Sequence, residues 1–207
     1  MQSPLAQTPR FAFNAGIDEE SVSQAINWLL NNQTQKHLTV LLTTQGGSAF
    51  QGLALRDAIR LVSQNTKVSV VTLGACMSAG ILVLTAVPRE NRFSGPLTRF
   101  LIHPPKTWND KQNFAHSTSR PSDKVLKTQE AMFDHHLEEG YNIREILIRL
   151  LHEDSCLSLE EAEALYSKES YFSAAEALKM GIIGSVLSHA PIQSDTTGIK
   201  RPWWRFW

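Results

Sequence analysis

The chain has 207 residues, balances 20 Lys and Arg against 20 Asp and Glu, and is 42% apolar. That length can bury one sizeable core, and a formal charge of zero with scattered basic residues gives no long-range field to gather nucleic acid or an anionic membrane. Two cysteines, Cys76 and Cys156, are too few for a disulfide scaffold and fit a reducing, cytoplasmic compartment.

Neither a basic start nor an apolar core marks the first ten residues, Met1 to Arg10, as a secretory leader. They are expected to form a short arm ahead of a main unit over 11–190. Leu38-Thr39-Val40-Leu41-Leu42-Thr43 and Val68-Ser69-Val70-Val71-Thr72-Leu73 are continuous β-branched and apolar runs, the mark of buried strands, and a helical pattern over about 50–63 links them. Strand, crossover helix and strand imply parallel pairing with a right-handed connection. A second unit follows, in which a helix from Ser78 to Val87 leads to a strand at Arg99-Phe100-Leu101-Ile102. The apolar stretch Ala79 to Val87 is too short to cross a bilayer, so no membrane role is expected.

Beyond it, residues 113–123 are polar and serine-rich, a surface loop by composition. A helix over about 125–154 would cover an apolar face through Leu126, Met132, Phe133, Leu137, Ile143, Ile146, Leu147 and Leu150, with His135 and His136 in solvent. Ser173 with Glu176 forms a capping box, and Gly181 after Met180 stops the helix that follows. The seven histidines lack carboxylate or thiol partners at ligand spacing, so no metal is expected, and the chemistry calls for no cofactor.

Three pieces of sequence carry chemistry. Gly74-Ala75-Cys76-Met77-Ser78-Ala79-Gly80 joins a strand to a helix, Gly46-Gly47-Ser48 lies upstream, and Ile102-His103-Pro104 ends another strand. At a tight strand-to-helix turn a serine hydroxyl stands clear of the backbone, next to N–H groups with no partner inside the helix. Those groups stabilise an oxyanion. A histidine at a neighbouring strand end can take the serine proton, and a Gly-Gly turn can approach the same oxygen because no Cβ intervenes. The plainer roles are an N-cap for Ser78, a strand end for His103 and an ordinary turn for Gly46-Gly47. Cys76 is a second conceivable nucleophile, but its place on the strand side predicts burial.

Thr43-Thr44-Gln45-Gly46-Gly47-Ser48, the segment from Gly74 to Gly80, Phe100-Leu101-Ile102-His103-Pro104 and Tyr171-Phe172-Ser173-Ala174-Ala175-Glu176-Ala177 together resemble the proteolytic subunit of the Clp protease. The resemblance implies a ClpP/crotonase-like α/β fold of repeated strand-helix units, with a mostly parallel sheet and a protruding handle helix. It implies Ser78 as nucleophile, His103 as general base, and the N–H groups of Gly47 and Ala79 as the oxyanion hole of a serine endopeptidase. Its substrates would be peptides or unfolded proteins, hydrolysed inside a homo-oligomeric heptameric ring or double ring.

Three departures from that family qualify the expectation. Its catalytic aspartate aligns with Leu165, which cannot hydrogen-bond an imidazole; Glu161, Glu163 and Glu169 are the nearby carboxylates, Glu163 and Glu169 the candidates to replace it, Glu169 one turn on if the helix continues. The segment over about 105–157 is longer than usual and has Lys106-Thr107-Trp108-Asn109-Asp110 where a glycine pair is customary. The ten residues ahead of Phe11 are too few for the axial loops that engage a Clp ATPase, so docking of one is doubtful. The 191–207 tail ends Trp203-Trp204-Arg205-Phe206-Trp207, suited to packing in a protein groove more than to a membrane surface. Two other functions remain open: a catalytically weak scaffold subunit, and a crotonase-type acyl-CoA enzyme.

Overall fold

The computed structural model describes residues 8–105 and 142–187, and among these, seven strands form one sheet. β1 (Arg10–Asn14), β2 (His37–Thr44) and β3 (Lys67–Met77) lie side by side and parallel. Helices α1 (Glu19–Asn31) and α2 (Ala49–Val62) make the two crossovers and pack against each other, as successive right-handed connections require. Leu38, Thr39, Val40 and Leu42 of β2 are all buried. A central parallel strand is covered on both faces, which is why this one reads as an unbroken apolar run.

Local chemistry fixes the helix starts. The Asp18 carboxylate accepts the Ser21 N–H at 2.8 Å while the Ser21 hydroxyl accepts the Asp18 N–H at 3.2 Å, satisfying two donors that the first turn of α1 leaves open. The same backbone bond from Ser21 holds the Asp18 pKa below its ordinary value. Val22, Ala25 and Leu29 then place one face of α1 in the core, at the spacing of an amphipathic helix.

β3 is longer than the expected Val68 to Leu73 strand and has two partners. Its residues Val70–Thr72 pair with β4 (Arg92–Ser94), and Ala75–Met77 pair with β5 (Arg99–Ile102). Gly74, at φ +70°, separates the halves, and the β2–β3 register shifts between Leu42 and Thr44. The Gly74 to Met77 stretch is therefore strand. β7 (Ser185–Val186) lies parallel to β4, and β6 (Ser170–Ser173) runs antiparallel to β5. The Phe100 and Phe172 rings stack across β5 and β6 with centroids 5.4 Å apart. A mostly parallel α/β sheet is what the sequence implies.

The helix expected from Ser78 to Val87 is only one turn, α3 (Gly80–Leu84), with Thr85 as C-cap. All five residues are buried, and burying an Ile, Leu or Val contributes about 1.5–3 kcal/mol each. The described part of the expected 125–154 helix runs 142–154 and is called α4. Ile143, Leu147, Ile148 and Leu151 are buried there, whereas Ile146, expected on the covered face, is 44% exposed. The inward stripe follows i, i+4, i+8 from Ile143, which leaves Ile146 on the other side. Helices α5 (Leu159–Tyr166) and α6 (Ala174–Lys179) follow. The Ser173–Glu176 capping box is present, and Gly181 takes φ +72° just past α6, the helix stop that its sequence position implies. The polar loop, the aromatic tail and most of the N-terminal arm lie outside the described residues.

Candidate active site

Strand register brings the two principal candidates together. Met77 pairs with Leu101, and the Ser78 N–H donates to the Leu101 carbonyl at 2.8 Å, so Ser78 leaves β3 beside the end of β5. His103 follows Ile102 directly. Both residues sit at carboxyl ends of parallel strands, where open α/β sheets bind ligands.

Ser78 has φ +54°, alone in positive φ among the described non-glycine residues. Left-handed backbone costs an L-residue about 1–2 kcal/mol, and here it is held by the bond to Leu101 and by the Ile81 N–H donating to the Ser78 carbonyl at 3.0 Å. The conformation turns the chain from strand into α3 within two residues. It also separates the hydroxyl from capping duty, since the N-cap of α3 is Ala79 with no side-chain cap bond. Among the described residues Ser78 Oγ has no hydrogen-bond partner.

The Gly46-Gly47 turn lies against this serine. Gly46 has φ +94°, and a Cβ on it would fall 2.5 Å from Ser78 Cβ and 3.2 Å from Ser78 Oγ; only glycine permits that approach. The Ile17 N–H donates to the Gly46 carbonyl at 2.8 Å and the Ser48 N–H donates to the Ile17 carbonyl at 2.9 Å. Those two bonds flank Gly47 as a parallel bridge, which turns the Gly47 N–H to the opposite edge. Among the described residues neither the Gly47 nor the Ala79 N–H has an acceptor.

Thr44, part of the Thr43 to Ser48 motif but given no role from sequence, touches both sides of this arrangement. It is 3% exposed, its Oγ1 accepts the Gly46 N–H at 3.1 Å, and its Cγ2 would lie 2.5 Å from a Cβ on Gly80. One side chain thus holds the glycine turn and packs on the first turn of α3.

The proposed third members are not assembled around His103. His103 Nδ1 lies 2.6 Å from the carbonyl oxygen of Pro104. Glu163 instead pairs with Arg144 at 3.3 Å, and Leu165 is half-buried against the core. α5 ends at Tyr166, so Glu169 is not a further helical turn along; it is exposed and precedes β6. Among the described residues no hydrogen bond or ion pair joins His103 to Glu163, to Glu169 or to Ser78. Cys76 is fully buried, and burial pushes its thiol pKa up, so it stays protonated and fails as a nucleophile. No three His, Cys, Asp or Glu side chains converge as a metal site among the described residues, and no described helix is long and apolar enough to cross a membrane.

Behind α3 is a charged cluster that sequence reading missed. Arg56 is 2% exposed and donates to the Leu82 carbonyl at 3.4 Å, to Thr85 Oγ1 at 3.0 Å and to Asp154 at 2.5 Å. Arg92 donates to the carbonyls of Val87 at 2.7 Å, Thr85 at 3.3 Å, Ile182 at 3.4 Å and Asp154. Arg60 reaches the second Asp154 oxygen at 3.1 Å. Burial lowers the Arg92 pKa to about 10 against the attraction of Asp154. Guanidinium donors spread over so many carbonyls satisfy the open end of α3.

A family model described as Clp protease matches residues 3–190. The chain belongs to the Clp protease family. Membership places it among the ClpP-like peptidases, which are hydrolases. It is 29% identical over 162 residues, 76% of this chain and 83% of the relative, to ATP-dependent Clp protease proteolytic subunit 1 of Chlamydia trachomatis serovar D. Over 176 residues it is 27% identical to ATP-dependent Clp protease proteolytic subunit 3 of Synechococcus sp. strain CC9605, covering 85% of this chain and 78% of that one. Its fold matches a solved ClpP1 mutant from Listeria monocytogenes with TM-score 0.67 and 24% identity, over 87% of this chain and 91% of the other.

Proposed function

We propose that this Clp-family chain is a serine endopeptidase that cleaves peptides or unfolded proteins with Ser78 as nucleophile and His103 as general base. The observation that carries the reading is Ser78 itself, a strained left-handed residue whose hydroxyl has no capping role, with Gly46 packed against it. Attack by Ser78 Oγ on a peptide carbonyl carbon forms a C–O bond while His103 Nε2 takes the hydroxyl proton. The carbonyl oxygen becomes an oxyanion between the Gly47 and Ala79 N–H groups. Collapse breaks the C–N bond, with His103 returning the proton to the departing amine. Water, deprotonated by the same imidazole, then cleaves the acyl-serine ester and restores the hydroxyl.

The protein works as a homo-oligomeric ring in this reading, heptameric by family resemblance. Phe50, 61% exposed, and Leu61, 59% exposed, are apolar surface that self-association would cover. Hydrolysis of an accessible peptide bond needs no nucleotide, so in this reading short peptides are cut without an ATPase, although the two relatives' names carry ATP dependence. The scaffold alternative is supported by Leu165 in place of the family's acid. Family membership favours the peptidase over an acyl-CoA enzyme.

Hydrolysis of fluorogenic peptides without nucleotide, by wild type and by Ser78→Ala at matched oligomeric state, tests the reading. Activity that disappears in the variant supports it. Inactive wild type in an intact ring would favour the scaffold, and an active Ser78→Ala would overturn the assignment.

A further inference from the structure

We propose that the main-chain carbonyl of Pro104 takes the place of the missing acid, so that the site operates as Ser78, His103 and a backbone oxygen. This deepens the serine-peptidase reading and rests on it. A carbonyl oxygen has no proton to give, so its 2.6 Å contact with His103 Nδ1 requires the proton to reside on Nδ1. In the neutral ring Nε2 is then the bare nitrogen, the form that can accept a proton from serine.

The acid of a serine-protease triad fixes the imidazole tautomer, orients the ring, and stabilises the imidazolium formed as serine is deprotonated. The Pro104 oxygen performs the first two tasks outright. It performs the third in part, because an imidazolium N–H to a carbonyl is a charge-assisted bond, stronger than the neutral one it replaces, although the acceptor carries only a dipole. Much of the cost of losing the acid comes from the wrong tautomer. A site that keeps the tautomer and loses only the full charge retains activity below that of a complete triad.

Sequence explains why this carbonyl is held in place. His103 is followed by Pro104 and Pro105. The Pro104 ring fixes its own φ near −65°, and the Cδ of Pro105 confines the Pro104 ψ to the extended range. Those dihedrals set where the Pro104 oxygen points. The acceptor is thus oriented by two rings before the histidine meets it, and little conformational entropy is lost in forming the bond. The carboxylates considered from sequence are otherwise placed, Glu163 on Arg144 and Glu169 exposed ahead of β6.

The test joins a spectroscopic measurement on the unmodified full chain to kinetics on one variant. Nitrogen-15 NMR of histidine-labelled protein reads the His103 tautomer directly, and the Nδ1–H form is expected to dominate once the ring is neutral. Pro105→Ala frees the Pro104 ψ without touching a catalytic side chain. It should lower kcat on a fluorogenic peptide by about 10-fold to 100-fold, a part of what general base catalysis supplies, leave KM within about twofold and mix the two tautomers. Glu163→Gln and Glu169→Gln should leave kcat near wild type. An Nε2–H tautomer in wild type would overturn the proposal even if Pro105→Ala failed to fold, and so would a Glu169→Gln loss as deep as that of Ser78→Ala. The NMR result does not depend on activity. A protein with the Nδ1–H tautomer that no fluorophosphonate labels would refute the serine-peptidase reading and leave the carbonyl contact standing.

Discussion

The two ends of α3 are treated in opposite ways. At its carboxyl end, the Leu82 and Thr85 groups meet Arg56, and the Thr85 and Val87 carbonyls meet Arg92. At its amino end, Ser78 Oγ and the Ala79 N–H have no partner among the described residues. A one-turn helix has little stability of its own, so a fixed unpaired amino end depends on what grips the other end and the flanks. Arg56, Arg92 and Thr44 are those grips. Polar groups aimed into an open position are useful for catalysis only if the structure around them does not relax to satisfy them.

Removing the functional group at the open end has the largest expected effect. Ser78→Ala should abolish nucleophile-dependent peptide hydrolysis, a loss smaller than the roughly 10⁶-fold of a complete triad because these effects are not additive, with the melting temperature little changed, since alanine keeps the backbone at φ +54°. Steady-state rates with an active-site titration check it.

Breaking the closed end tests the other half of the comparison. Asp154→Ala would leave buried Arg56 without its counter-ion, which costs about 3–5 kcal/mol, read as a lower denaturation midpoint. Replacing both partners, Arg56→Met with Asp154→Leu, should recover much of that stability. If the double variant is as unstable as the single one, hydrogen bonds from Arg56 to α3 outweigh the charge pair.

Thr44→Val keeps the methyl contact with α3 and removes the acceptor of the Gly46 N–H. Losing one oxyanion donor outright costs about 10²–10³ in kcat; misaiming the Gly47 N–H should cost less, with KM little altered, and Thr44→Ser should restore the rate. Away from the site, Ser173→Ala removes the cap bond of α6 and should cost about 1 kcal/mol, a melting shift of about 2–4 °C with no change in kcat. Cys76→Ala should likewise leave the rate alone, because that thiol is buried and protonated.

What could be read in sequence is what depends on neighbours along the chain. β2, α2 and the first half of β3 follow from apolar runs, and the Ser173–Glu176 box from spacing. The short strands β4 and β7, of three and two residues, have no period to detect. β3 continues past Gly74 because β5 offers a partner, a contact that no local window contains. Arg56 and Arg92 read as ordinary basic residues, since their burial depends on carbonyls and an acid far away in sequence. That Ser78, His103 and the Gly46-Gly47 turn lie at neighbouring strand ends was legible because tight turns demand particular residues. The partner of His103 was not: a backbone oxygen has no letter of its own, and the search for a carboxylate led to Glu163 and Glu169, which structure places elsewhere.

The central claim is that the Ser78 hydroxyl is held free and reactive at the open end of α3. Mass mapping of the protein after exposure to a fluorophosphonate tests it most directly. One adduct per chain, on the peptide that carries Ser78 and absent from Ser78→Ala, is the predicted result. No adduct on an assembled, folded protein, or an adduct on Cys76 or another residue that survives Ser78→Ala, would contradict it.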